Sequence, residues 1–204
     1  MTLTAALFVG GESRRMGTDK ATLSWQGEPL WARQCRQLRE LQPDALWISA
    51  RTRPPWCPAD IEVVLDSSPS RGPLSGLAAA LARVQTTHLL ALAIDLPHMN
   101  APHLRKLFQS TRPRHGVIPV NGNYFETLCA IYPAEAAAAA NELLAGDDAS
   151  LQHLARILIR QGLLHTYAPD PGEAFLYQNL NTPAEFNAEM QRTQNGAEPD
   201  GESD

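Results

Sequence analysis

The chain has no surplus of positive charge. Its 17 Lys and Arg stand against 22 Asp and Glu, a formal net charge of −5. Such a balance lacks the broad basic field that gathers a nucleic-acid polymer, so nucleic acid is not expected as a partner. Cysteine is sparse. Cys35, Cys57 and Cys129 show neither a C-x-x-C pair nor metal-ligand spacing, which argues against a disulfide scaffold and a zinc module. They read as reduced thiols of a cytoplasmic protein, with Cys129 in the core. Long apolar runs are missing too: none approaches the roughly 20 residues that cross a bilayer, so no membrane partner is expected. The first apolar run has no basic segment ahead of it and reads as a strand rather than a signal peptide. The six histidines are scattered. None stands at a spacing from Ser or Cys that suggests a nucleophile and its base.

What is present is alternation. Apolar runs at 3–9, 45–50, 61–65, 88–94, 116–120, 125–132 and 163–167 read as strands. Helical patterns at 29–41, 73–84, 101–111, 133–144, 150–161 and from Pro183 onward fall between and after them. A β/α alternation over 204 residues predicts one α/β domain, a doubly wound, mostly parallel sheet with helices on both faces. The domain is expected over 1–192. From Thr193 the chain is polar and acidic with no large apolar residue, which predicts a disordered acidic tail.

The strongest local signal follows the first strand: Gly10-Gly11-Glu12-Ser13-Arg14-Arg15-Met16-Gly17-Thr18-Asp19-Lys20. Paired glycines let backbone N–H groups approach phosphate oxygens without a Cβ in the way. Arg14, Arg15 and Lys20 supply charge-assisted donors. The loop is not a Walker A loop, because Ala21 follows Lys20 where Mg²⁺ would need a hydroxyl. Nor does it carry the G-x-G-x-x-G dinucleotide spacing.

Ligands of an open parallel sheet bind at the carboxyl ends of its strands. Asp66 and Asp95 each follow an apolar run and fall at that edge. A carboxylate after Leu89-Leu90-Ala91-Leu92-Ala93-Ile94 is costly unless it is paired or holds a metal. Capping of the helix near Ala101 is the plainer alternative, but Pro97 and several residues intervene. The segment Arg71-Gly72-Pro73-Leu74-Ser75-Gly76 offers a helix start able to receive a base or ribose, and equally an ordinary turn. Thr182 and Glu185 form a capping box with Pro183 at N1, which leaves Asn179 and Asn181 to face the site. His98 and His103 read as surface residues near the same edge.

In order and spacing these pieces resemble the MobA-like nucleotidyltransferases, and among them the guanylyl-transferring branch. The opening Leu-Ala-Gly-Gly, Arg-Met-Gly and Asp-Lys blocks of that family appear as Phe8-Val9-Gly10-Gly11, Arg15-Met16-Gly17 and Asp19-Lys20. Its Gly-Pro-Leu-x-Gly block appears as Gly72-Pro73-Leu74-Ser75-Gly76, its Asp-x-Pro as Asp95-Leu96-Pro97, and its Asn-x-Asn-Thr-Pro block as Asn179-Leu180-Asn181-Thr182-Pro183. The likeness spans about residues 3–190. It implies a Rossmann-like three-layer domain that moves GMP from GTP to molybdopterin with Mg²⁺ as cofactor. Molybdoenzymes or cofactor-insertion proteins would be downstream partners. By position, the backbone of Phe8, Val9, Gly10 and Gly11 would meet the guanine and Asp66 the nucleoside. Lys20 and Arg15 would meet phosphate. Asp95 would hold the metal, with Asn179 and Asn181 near the pterin-side phosphate or that metal. Three departures stand out: Phe8-Val9 for Leu-Ala, Ile48-Ser49-Ala50-Arg51 for Asn-Ala-Asn-Arg, and Ile94 where the family often has Cys. Two other readings compete: a transferase using another base or acceptor, and a nucleotide-binding module without transfer.

Overall fold

The computed structural model describes residues 1–10, 19–66 and 69–194. Gly11, Arg14 and Arg15 of the glycine loop lie outside the described residues, as does the tail from 195 on.

The chain opens with β1 (Leu3–Phe8), buried at every position. A strand covered on both faces must read as one apolar run, as this one does. A two-residue hairpin follows, β2 (Ser24–Trp25) and β3 (Glu28–Pro29), then α1 (Leu30–Arg39). The helix expected from position 29 thus begins one residue later, with Pro29 in the hairpin. Gln26 and Gly27 turn the hairpin with φ of 52° and 87°. Both signs are positive, as the primed turns of tight hairpins require. Gln is an unusual first residue for such a turn, which hides the hairpin in the sequence. Next come β4 (Ala45–Ala50), β5 (Glu62–Leu65), α2 (Pro73–Arg83), β6 (His88–Ala93) and α3 (Ala101–Ser110).

The run expected as a single strand over 125–132 is in fact two. After β7 (Gly116–Asn121), β8 (Tyr124–Phe125) pairs back on β7, and β9 (Cys129–Pro133) runs antiparallel between β6 and β7. Glu126-Thr127-Leu128 makes the crossing. The Glu126 N–H donates to the Pro119 carbonyl at 2.9 Å, and the Leu128 carbonyl accepts from Ala93 N–H at 2.6 Å. Pro133 therefore ends β9 rather than opening a helix, and α4 (Ala136–Ala145) starts three residues later. Then follow α5 (Leu151–Arg160), β10 (Leu164–Tyr167), a 3-10 turn at Pro171–Tyr177 absent from the sequence reading, and α6 (Pro183–Gln194). Thr193 and Gln194 are thus helical.

The main sheet has the order β10-β7-β9-β6-β1-β4-β5, with β8 beside β7. The β1, β4, β5, β6 portion is parallel, and so is the β10–β7 pair; β9 enters antiparallel. The pleat divides the core, and β1 shows how. Ala5 and Leu7 join Leu30, Cys35 and Leu38 of α1, while Ala6 and Phe8 join Leu74, Leu77 and Leu81 of α2. Each fully buried aliphatic side chain stabilises the fold by about 1.5–3 kcal/mol. The chain leaves β1 toward one face and returns to β6 from the other, so the order reverses at β1/β6. An open α/β sheet forms its crevice at such a reversal. Among the described residues no helix is long and apolar enough to cross a membrane.

Candidate active site

A cavity of about 260 Å³ opens at the carboxyl ends of β1, β4 and β5, lined by Phe8, Gly10, Ser49, Arg51, Asp66, Gly72, Pro73, Gly76 and Leu128. Its floor follows from strand register. Phe8 lies opposite Ser49 on β4 and Ala93 on β6. The Phe8 carbonyl accepts from Ile94 N–H at 3.0 Å, and the Val9 N–H donates to the Ser49 carbonyl at 3.0 Å. These groups are used within the sheet, and Gly10 is the next residue along, at the cavity wall. Asp66 continues β5 through its N–H to the Ala50 carbonyl at 3.1 Å, and Ser70 donates to its Oδ2 at 3.1 Å. Gly76 makes the convergence possible. A Cβ there would fall 2.8 Å from Ser49 Oγ and 3.0 Å from Asp66 Oδ1. A hydroxyl and a carboxylate therefore meet over bare helix backbone.

The Arg71–Gly76 segment divides its roles. Gly72 turns at φ 79° and Pro73 occupies the first turn of α2. Arg71 does not face the cavity: its guanidinium donates to the carbonyls of Leu144, Gly146 and Asp147, satisfying orphan groups at the end of α4.

A second cavity, about 450 Å³, lies next to the first and shares Pro73 and Leu128 with it. Ala93, Asp95, Leu96, Asn121, Tyr124, Phe125, Glu126, Thr127, Leu151, Gln152 and Asn179 complete its wall. Asp95 is the half-buried anion here. Burial pushes its carboxyl above the usual range, and the nearby Lys20 only partly offsets this. Lys20 Nζ stands 3.8 Å from Asp95 Oδ2, beyond hydrogen-bond length. At that separation Coulomb attraction does not repay the desolvation of the carboxylate. Asp95 is thus under-compensated and suited to further positive charge. The described residues hold no cluster of three His, Cys, Asp or Glu, so a thiolate- or imidazole-rich site does not fit. Carboxylate, amide and hydroxyl oxygens on one wall fit a hard cation. Asp95 does not cap α3: Asn100 is its N-cap, accepting from His103 N–H at 2.9 Å.

Lys20 is placed by its neighbour. Asp19 caps the 3-10 turn at Lys20–Thr22, accepting from Ala21 N–H at 3.0 Å through Oδ1. Its Oδ2 accepts from the Trp56 indole N–H at 2.6 Å. Trp56 stacks on Trp31 of α1 with centroids 5.3 Å apart. The proline-rich loop after β4 thereby braces the Asp-Lys pair.

Asn179 reaches the second cavity because Leu180 N–H donates to the Asp95 carbonyl at 3.1 Å. Asn181 is exposed, with its N–H on Glu185 Oε2 at 2.7 Å. The capping box forms as expected: Glu185 N–H donates to Thr182 Oγ1 at 3.2 Å, and Thr182 N–H to Glu185 Oε2 at 3.3 Å.

His98 and His103 are not surface residues. His98 packs edge-on against Trp25 and Phe175, with Nε2 3.3 Å from Glu189 Oε1. His103 is 4% exposed, with Nε2 2.5 Å from the Tyr177 hydroxyl and Nδ1 3.3 Å from Glu173 Oε1. Burial holds both rings below their usual pKa. A neutral His103 donates from Nδ1 to the carboxylate and accepts at Nε2 from Tyr177. This pair anchors the 3-10 turn just ahead of Asn179. The pattern missed these roles because the partners lie about 70 residues away in sequence.

Of the expected residues, the fold brings Lys20, Asp95 and Asn179 to one crevice, and Phe8, Gly10 and Asp66 to the cavity beside it. The loops around 121–127 were expected to carry acceptor contacts, but Glu126 and Trp56 were not singled out as residues. Their signals were a carboxylate between a turn and an apolar run, and a large aromatic in a loop at the carboxyl edge.

A parallel-sheet crevice with two adjoining cavities and an under-compensated carboxylate is the arrangement of a Rossmann-like α/β ligand-binding domain, and it suits a nucleotide-using transferase. The chain belongs to the MobA-like NTP transferase family: the sequence profile of that domain matches residues 5–164. It is 36% identical over 182 residues to a molybdenum cofactor guanylyltransferase of Pseudomonas fluorescens, covering 87% of this chain and 88% of that one. It is 34% identical over 193 residues to an Opitutus terrae protein named "Probable molybdenum cofactor guanylyltransferase", covering 93% and 96%. Its fold matches the crystal structure of molybdopterin-guanine dinucleotide biosynthesis protein A from Archaeoglobus fulgidus with a TM-score of 0.67 at 21% identity, over 94% and 99% of the two chains.

Proposed function

We propose that this chain transfers GMP from GTP to the terminal phosphate of molybdopterin and releases pyrophosphate. The observation that carries the reading is the pair of cavities sharing Pro73 and Leu128 beside Asp95. One cavity suits a base and ribose and the other an acceptor, with Asp95 on the wall of the second and Lys20 beside Asp95. Family membership and the relatives' names support guanylyl transfer as the reaction.

The nucleophile is an ionised phosphate oxygen of the acceptor, so no proton has to be removed for attack. That oxygen bonds to the α-phosphorus of GTP. The bond from the α-phosphorus to the bridging oxygen breaks, and its electron pair leaves with pyrophosphate. The chain's part is positioning and charge neutralisation. Lys20 meets phosphate charge, and Arg14 or Arg15, both outside the described residues, offsets charge on the leaving pyrophosphate. Asp66 and Ser49 hold the nucleoside over Gly76. Asn179 orients the acceptor phosphate, with Asn181 beside it in sequence. Asp95 would hold Mg²⁺, which takes one carboxylate with phosphate oxygens and water, and which when bound neutralises phosphate charge. Three cysteines without a disulfide suit a reducing cytosol.

The test is pyrophosphate release with GTP, CTP and ATP in turn, with Mg²⁺ and molybdopterin supplied. Release with GTP alone is the expected result. Release with CTP moves the base preference, and no release with any nucleotide overturns the reading.

A further inference from the structure

The second cavity holds a carboxylate that this chemistry does not use. Glu126 lines it on the crossing between β8 and β9. Burial raises its carboxyl above the usual range, a hydrogen bond from the Asn121 side chain opposes this, and the Asp95 charge adds to the rise. The backbone beneath it is firmly held. Gln152 of α5 donates through Nε2 to the Phe125 carbonyl at 2.8 Å and accepts the Phe125 N–H through Oε1 at 3.1 Å. With the Glu126 N–H on Pro119, the position is fixed from both β7 and α5. A recognition group carried on braced elements discriminates better than one on a free loop.

Tyr124, two residues earlier, lines the same cavity and is 70% exposed, one of only three large apolar side chains open to solvent among the described residues. Its ring offers a face to a flat ligand. The cavity volume of about 450 Å³ lies within the range that holds small organic ligands.

A pterin is such a ligand. Its pyrimidine edge presents a ring N–H and an amino N–H side by side, two parallel donors that match the two oxygens of a carboxylate. Asp95 is turned to Lys20, which leaves Glu126 for this edge. We propose that Glu126 reads the amino-oxo pyrimidine edge of the pterin acceptor and that Tyr124 stacks on its ring. The inference rests on the second cavity being the acceptor site. It makes acceptor choice a matter of donor pattern: a lumazine, with a second oxo group in place of the amine, sets an acceptor against the carboxylate and is rejected.

The test titrates the full chain with fluorescent 6-hydroxymethylpterin and with 6-hydroxymethyllumazine, alongside turnover with GTP and molybdopterin. Wild type is expected to bind the pterin more tightly than the lumazine. Glu126→Gln, nearly isosteric, loses about tenfold or more in pterin affinity and most of the discrimination, a hydrogen bond to a charged group being at stake. Its KM for molybdopterin rises while its KM for GTP holds. Tyr124→Ala weakens both probes, whereas Tyr124→Phe keeps both. Undiminished discrimination in folded Glu126→Gln overturns the inference while wild-type turnover leaves the transferase reading in place. Discrimination lost in Glu126→Gln, with no pyrophosphate from wild type, supports the pterin site and overturns the transferase reading.

Discussion

Lys20 Nζ and Asp95 Oδ2 stand 3.8 Å apart across the carboxyl edge of the sheet. The two are near enough to feel one another and too far for a direct hydrogen bond. Asp95 follows β6, while Lys20 is set by the Asp19 cap and, through it, by Trp56. Asp95 lines the second cavity. An arrangement that leaves both charges incompletely satisfied is poised to take up a phosphate and a cation together.

Lys20→Ala is expected to lower turnover by roughly 10²–10³-fold, the usual cost of removing one group that neutralises transition-state charge. Circular dichroism should match wild type, since the Asp19 cap uses the backbone of Ala21 and not the Lys20 side chain. Wild-type turnover in the folded variant removes Lys20 from this role.

Asp95→Asn should separate stability from activity. Burial disfavours the charged carboxylate, and the neutral amide escapes that cost. The variant is expected to melt at or above the wild-type temperature at neutral pH while Mg²⁺-dependent turnover is lost. A variant that turns over with undiminished Mg²⁺ dependence shows that Asp95 is not the ligand.

Gly76→Ala sets local propensity against the site. Alanine gains about 0.8–1.0 kcal/mol over glycine inside a helix. The added Cβ crowds Ser49 Oγ and Asp66 Oδ1, which frame the nucleoside cavity. The expected outcome is a thermal midpoint held or raised and a KM for GTP raised about tenfold, equal to about 1.4 kcal/mol. An unchanged KM places the base elsewhere.

Glu173 gives the fold an acid-sensitive latch. Burial raises its carboxyl, but hydrogen bonds from Lys106, Tyr167 and the Asp170 backbone outweigh this and bring it down from 4.5 to about 2. A carboxylate depressed by folding contributes stability that is present above its unfolded value and lost as pH falls through its folded value. Glu173→Gln should therefore melt below wild type at pH 7. The gap should close as pH falls from about 4.5 toward 2. Thermal scans across that window check it, and a constant gap at every pH shows that the charge is not what matters.

The positions of the two strand-end acids and of Asn179 were legible because local chemistry constrains them, while most of the glycine loop lies outside the described residues. Phosphate needs bare backbone and positive charge, and a carboxylate closing an apolar strand needs a reason to be there. The capping box was legible for the same cause, since its partners are three residues apart. The β9 insertion was less so. Periodicity marks an extended apolar run over 125–132 but not that Glu126-Thr127-Leu128 leaves one partner strand for another. That crossing is what carries Glu126 beside Asp95.

By itself the sequence determined the α/β alternation, the covered parallel strands and the motifs at their carboxyl ends, all set by contacts within a few residues. Only the tertiary structure decided which distant groups meet. Gly116 is a case in point: a Cβ there would fall 1.9 Å from the Ile131 carbonyl, a limit set wholly by the neighbouring strand. The same holds for Trp56 on Asp19 and Tyr177 on His103. The two adjoining cavities belong to this second class, because their walls come from β1, β4, β6, the β8–β9 crossing and the segment ahead of α6. No local pattern encodes such a juxtaposition. It arises when burial of the two sheet faces closes the strands into a single order.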